Sequence, residues 1–147
     1  MKIYLDNCCY NRPYDDQSQL RISLETQAKL QIQRMVQEKR LELASSFVLE
    51  YENNRNPHLS RKMAISSFLQ ENVSAYVNGE RIEEVREKAK VIQKTGVKTA
   101  DALHTACSIL SGSDYLITTD DRLLRYQTDE IIIVNPMEFI RLLEEDL

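Results

Sequence analysis

Apolar residues recur along this chain with two different periods, and the switches between them divide it into alternating strands and helices. Lys2–Asp6 (KIYLD), a short β-favouring run ending in a carboxylate, predicts a buried first strand. The polar segment Asn7–Asp16, with Pro13 and the acids Asp15 and Asp16, reads as a loop. Leu20, Leu24, Ala28, Ile32, Met35 and Val36 then fall at helical offsets, so Ser18–Glu38 predicts one long amphipathic helix with a charged outer face. Leu41–Ser46 (LELASS) reads as a second strand, and Ser46 is placed to cap a short helix carrying Phe47, Val48 and Tyr51, which Asn56-Pro57 ends.

His58–Gln70 predicts a further helix with Met63, Ile65, Phe68 and Leu69 inward. Val73–Val77 is a third strand and Asn78-Gly79 a turn; Glu80–Lys94 is helical, with Ile82, Val85, Ala89 and Ile92 on one face and Gly96 in the C-terminal cap position. Thr99 is expected to cap the helix Ala100–Ser111, which Gly112 closes. Tyr115–Thr118 (YLIT) and Ile131–Val134 (IIIV) are the fourth and fifth strands, and Pro136–Glu144 a terminal helix. This alternation implies an α/β fold with a mostly parallel sheet covered on both faces. No repeat, low-complexity stretch or linker interrupts it, so residues 1–147 are expected to form one domain.

Composition narrows the function. Of the 147 residues, 42% are hydrophobic and 29% charged, enough for a real core and too apolar for disorder. No run approaches the roughly 18–20 apolar residues of a membrane span. Asp6 arrives before an apolar region of signal-peptide length develops, which favours a cytoplasmic protein. Cys8, Cys9 and Cys107 are odd in number and form no CxxC pair, so reduced thiols fit better than a disulfide framework or structural zinc. With only His58 and His104, a metal site here would be built on oxygen ligands, which suit Mg²⁺ or Mn²⁺. A net charge of −4 argues against passive nucleic-acid binding, but less against a site whose carboxylates hold cations.

In open parallel sheets, ligands gather beyond the C-terminal strand ends. Asp6 ends the first strand, Asp120 follows the fourth, Glu50 and Glu52 follow the second, and Asp101 opens the helix before the fourth. With those strands adjacent, the acids converge on one sheet edge. Clustered carboxylates raise one another's pKa and are relieved by a cation. Two such ions ~3.5–4 Å apart can activate water and stabilise a leaving oxygen. Each position also has an ordinary reading. Most of the 23 acids must be solvated; Asp101 suits a helix N-terminus, and Asp120 suits the cap of a short helix through Leu123 and Leu124.

In order, KIYLD, SSFVLEYE and ADALHTACSILSGSDYLITTD resemble the pattern of PIN-domain proteins, from Met1 to roughly Val134. LDNCCYNRPYDDQSQLRI is similar to a subgroup of small prokaryotic stand-alone members. The resemblance implies a three-layer α/β/α sandwich with a central parallel sheet of about five strands. It also implies Mg²⁺- or Mn²⁺-dependent ribonuclease activity, often as the toxin of a toxin–antitoxin pair, with RNA as substrate, an antitoxin as partner and a homodimer. By position it assigns Asp6, Glu52, Asp101 and Asp120 as the catalytic, metal-binding acids, with Glu50 and Asp121 as fallbacks. Residues two apart on a helix point roughly 200° apart, so Glu50 and Glu52 cannot both face one site.

Around these acids the roles stay open. Asn7 is either a partner of a metal water or phosphate, or a turn residue. Ser46, Thr118 and Thr119 are either ligand-orienting or local caps. His104 is either a general base or a buried hydrogen-bonding group, and Arg12 and Arg21 either meet phosphate or pair internally, Arg21 with Glu25. Two other function classes compete: a catalytically weak PIN-like binding module acting through a protein partner, and a phosphoryl-transfer domain with Asp6 as nucleophile. Cys8 stands where phosphatases of the latter type carry a second acid.

Overall fold

The computed structural model describes residues 1–145. Strands β1 (Lys2–Leu5), β2 (Glu42–Ser46), β3 (Val73–Val77), β4 (Tyr115–Ile117) and β5 (Ile132–Val134) form one sheet in the order β3-β2-β1-β4-β5. Every pairing is parallel, and Tyr4 of central β1 faces Ala44 on one side and Leu116 on the other. The helices are α1 (Asn7–Asn11), α2 (Leu20–Gln37), α3 (Phe47–Asn54), α4 (Leu59–Asn72), α5 (Ile82–Gln93), α6 (Thr99–Leu110), α7 (Asp121–Leu124) and α8 (Pro136–Glu145).

Strand pleating sends alternate residues to opposite faces, and two cores follow. Ile3, Leu5, Leu43 and Ile117 pack with Ile32, Met35 and Val36 of α2, Ile65 and Phe68 of α4, and Phe139 of α8. Tyr4, Ala44 and Leu116 pack with Val85, Ala89 and Ile92 of α5 and Ala102, Ala106 and Cys107 of α6. Each fully buried aliphatic side chain contributes about 1.5–3 kcal/mol relative to exposure. The result is a three-layer α/β/α sandwich with an all-parallel sheet, as expected.

Several local expectations are corrected. Asn7–Asp16 is not simply a loop: it holds α1 and a 3₁₀ turn at Arg12–Tyr14. Asp6 caps α1 by accepting a hydrogen bond from the Asn7 amide, and Pro13 suits the start of the following turn. Thr99 does not cap α6 but is its first helical residue, and its hydroxyl accepts from Gln93 Nε2 at 2.9 Å. Leu20, Leu24 and Met63 are exposed rather than inward. In α2 the inner face is taken by Glu25, Thr26 and Lys29, whose polar groups are matched internally. In α4 the inner face runs through Ile65 and Phe68, and Met63 lies roughly 200° round the helix from Ile65. Among the described residues, no helix is long and apolar enough to cross a membrane.

Candidate active site

The chain steps outward from β1 through β2 to β3, then returns to the other side of β1 as β4. The switch in strand order therefore lies between β1 and β4, where a crevice opens beyond the C-terminal strand ends. Asp6 leaves β1 there and Asp120 follows β4 two residues past Thr118. The two segments are stitched together. The Asp6 amide donates to Ile117 O at 3.0 Å, Thr118 Oγ1 donates to Asp6 Oδ2 at 2.9 Å, and the Asp120 amide donates to Thr118 Oγ1 at 3.1 Å. Asp6 Oδ1 accepts from the Asn7 amide at 2.7 Å, so a 6% exposed carboxylate has its oxygens directed by fixed donors.

A cleft of about 440 Å³ opens above Asp6, and Glu52, Asp101, Asp120, Asn7 and His104 share its wall. Four acids from distant positions thus meet one cavity. Burial raises the pKa of Asp101, and the charges of Asp120 and Asp6 raise it further, which is the signature of a like-charge cluster. The fallback acids point elsewhere. Glu50 accepts a short hydrogen bond from the Tyr76 hydroxyl and lines a different cleft. Asp121 is clasped by both terminal nitrogens of Arg21, at 2.7 and 2.9 Å. Asp120 also caps α7, accepting from the Arg122 amide at 2.8 Å, so the ordinary reading of that residue holds alongside its place in the cleft.

His104 is 1% exposed. Its Nε2 lies 2.8 Å from Glu52 Oε1, its Nδ1 2.9 Å from the Tyr4 hydroxyl, and that hydroxyl 2.6 Å from Ser46 Oγ. Burial alone would lower the imidazole pKa. The hydrogen bond to Glu52 and the charge of Asp6 outweigh it, and the net direction is upward. Ser46 also caps α3 through the Leu49 amide at 3.2 Å. Ser46, Thr118 and Thr119 are buried beneath the cleft rather than forming its wall.

Sequence reasoning missed three participants. Tyr4 looks like any β-favouring residue, and its hydroxyl contacts join β1 to residues over 40 positions away. Asp15 and Asn11 also line the cleft, the former held by Arg12 Nη1 at 3.0 Å. Their place in a polar segment next to Asp6 was the available signal. The thiol of half-buried Cys8 reaches Asp6 Oδ2 and Thr118 Oγ1 at 3.4 Å each. Burial pushes the Cys9 thiol up, and Cys107 to about 11, so neither is an activated nucleophile.

The donor set is chemically right for a hard divalent cation: carboxylate oxygens, one already preorganised. Among the described residues, however, no three His, Cys, Asp or Glu side chains stand together as a group able to hold a metal ion as placed. No family model matches the sequence, and no curated protein matches it. Among solved structures the chain is similar to the crystal structure of FitAcB from Neisseria gonorrhoeae. The TM-score is 0.53 over 92% of this chain and 98% of that chain, at 14% identity. That likeness is one of fold alone: a three-layer α/β/α sandwich around an all-parallel sheet.

Proposed function

We propose that this protein is a divalent-metal-dependent nuclease that hydrolyses RNA phosphodiester bonds in the cleft beyond β1 and β4. One observation carries the reading: Asp6, Glu52, Asp101 and Asp120, spread over most of the chain, line a single cavity at the switch point of the sheet. Asp6 and Asp101 would hold Mg²⁺ or Mn²⁺, with Glu52 and Asp120 completing the set. When bound, the cation supplies an activated water and screens the charge that develops on phosphorus.

The remaining work belongs to the chain. Thr118 and the Asn7 amide aim the Asp6 carboxylate, and His104 holds Glu52 at a fixed position. Because His104 already bonds Tyr4 and Glu52, it acts as a positioning residue rather than a free base. Burial and the charges of Asp120 and Asp6 raise the pKa of Asp101, a cost that a cation held here would relieve. The PIN resemblance further supports a toxin role, with an antitoxin as partner, and a homodimeric assembly.

The test is cleavage of a labelled RNA with Mn²⁺ or Mg²⁺, in chelator, and with Asp6→Asn. Cleavage should require metal and fall at least ~10²-fold in the variant. Full activity in chelator refutes the reading. No heat on Mn²⁺ titration would leave instead a binding module that acts through a protein partner.

A further inference from the structure

A second cleft, of about 530 Å³, adjoins the acid cleft and shares Asp101 with it. It is also lined by Lys98, Arg122 and Arg125, all exposed, together with half-buried Tyr126. This is an unusual grouping in a chain of net charge −4. Among the described residues, none of these three cations enters an ion pair, and their side chains donate no hydrogen bond to the protein. The other arginines nearest the acids are already committed: Arg12 to Glu25 and Asp15, Arg21 to Asp121 and Glu25.

We infer that this groove binds the phosphodiester backbone of a single-stranded nucleic acid as it leaves the acid cleft, with Tyr126 stacking one unpaired base. The inference deepens the nuclease reading and rests on it for the direction of the strand. Three cations without an ion-pair partner along one groove give it a local positive potential that attracts a polyanion. A half-buried aromatic beside a cationic track is the combination that unpaired nucleotides use, since every base has a stackable face. A base held in a duplex offers no such face. The groove thus eases a contradiction in the charge balance: an acidic protein can engage a polyanion where three of its unpaired cations stand beside the acids.

Binding is measured in chelator, so that cleavage plays no part, with a fluorescein-labelled oligouridylate on the full chain. The triple variant Lys98→Ala/Arg122→Ala/Arg125→Ala should weaken binding at least ~10-fold and lower the salt-dependence slope by about 2, at roughly 0.7 per phosphate contact. All three side chains are exposed, and Arg125→Glu alone should weaken binding in the same direction should the triple variant fold poorly. The chain has no tryptophan, so Tyr126→Trp creates a single reporter whose emission the strand should quench. Unchanged affinity and slope in both cation variants overturns the inference. So does equal binding of a duplex of the same length, or displacement of the strand by polyglutamate at equal charge. Metal-dependent cleavage that the triple variant leaves intact refutes the groove and spares the nuclease. Strand binding by a protein that never cuts with Mn²⁺ does the reverse.

Discussion

His104 Nε2 stands 2.8 Å from Glu52 Oε1, and this contact ties the acid of α3 to helix α6. Behind it, Nδ1 meets the Tyr4 hydroxyl at 2.9 Å inside the core. His104→Ala therefore removes the partner of part-buried Glu52 and one of the two partners of the buried Tyr4 hydroxyl, and leaves a void. It should lower unfolding free energy by about 2–4 kcal/mol in urea titrations, from lost packing and unmet hydrogen bonds. His104→Gln, which can keep one of the two bonds, should lose roughly half as much. Equal stability of wild type and His104→Ala would show that the imidazole is not holding this junction together.

Glu25 has no exposed surface, yet it accepts from Arg12 Nη2 at 2.6 Å, sits 3.4 Å from Arg21, and is bonded by Asn135. Arg12 and Arg21 are part-exposed and keep Asp15 and Asp121, so Glu25→Gln chiefly weakens charge-assisted hydrogen bonds to a buried acceptor. It should destabilise the fold by about 1–3 kcal/mol, measured by chemical denaturation. A loss below about 1 kcal/mol would place the arginines in solvent rather than against Glu25.

Asp120 and Asp121 are neighbours with different surroundings. Asp121 is exposed and paired with Arg21, which holds its carboxyl below the usual range. Exposed pairs of this kind contribute little to stability. Asp121→Asn should thus leave both stability and RNA cleavage within twofold of wild type, whereas Asp120→Asn should cut cleavage at least ~10-fold. The opposite ranking in a gel-based cleavage assay would move the fourth acid of the site to Asp121.

The placement of Asp6 and Asp120 was legible because each follows a short β-favouring run, and period-2 strands reveal their ends. Spacing from Ser46 favours Glu52 over Glu50, but local sequence does not show what holds each of them. The separation comes from Tyr76 on β3 taking one and His104 on α6 taking the other, and both partners are distant in sequence. The N-terminal half of the inner face of α2 was misread for the same reason, whereas Ile32, Met35 and Val36 are buried as their spacing implies. A buried Glu25 looks like surface until Arg12 and Asn135 are known to meet it. Residues Asn7–Asn11 read as loop because their helix depends on Asp6, a residue read as the last of a strand, which also serves as a cap.

Asp101 has its pKa raised by burial and by the charges of Asp120 and Asp6. A carboxyl whose folded pKa lies above its unfolded value favours the fold while protonated and works against it as pH rises through that folded pKa. At neutral pH the ionised group is therefore a liability without a cation. Asp101→Asn should raise the melting temperature in chelator while abolishing most of the rise that Mn²⁺ gives the wild type. Because the group is only part-buried, the gain should be below about 1 kcal/mol. A lower melting temperature in chelator would mean that the Asp101 carboxylate stabilises the metal-free fold.

Lys29 supplies the clearest pH signature away from the cleft. It is 5% exposed, donates to Gln33 Oε1 at 2.6 Å, and lies 5.5 Å from the centre of the Tyr10 ring, with no carboxylate partner among the described residues. Burial pushes its pKa down to about 8 from 10.5. Below about 8 the amine is charged in both the folded and unfolded chain, and the fold bears the full desolvation penalty. Between about 8 and 10.5 the unfolded chain binds the extra proton, so this group makes stability rise with pH. Lys29→Met should accordingly be more stable than wild type at pH 7, by at most ~3.5 kcal/mol at about 1.4 kcal/mol per pH unit. That advantage should shrink steadily across pH 8 to 10.5 when the two proteins are unfolded side by side in urea. Taking the difference cancels the titration of tyrosines common to both. A difference that stays constant over this interval would mean that Lys29 keeps an ordinary pKa and reaches water.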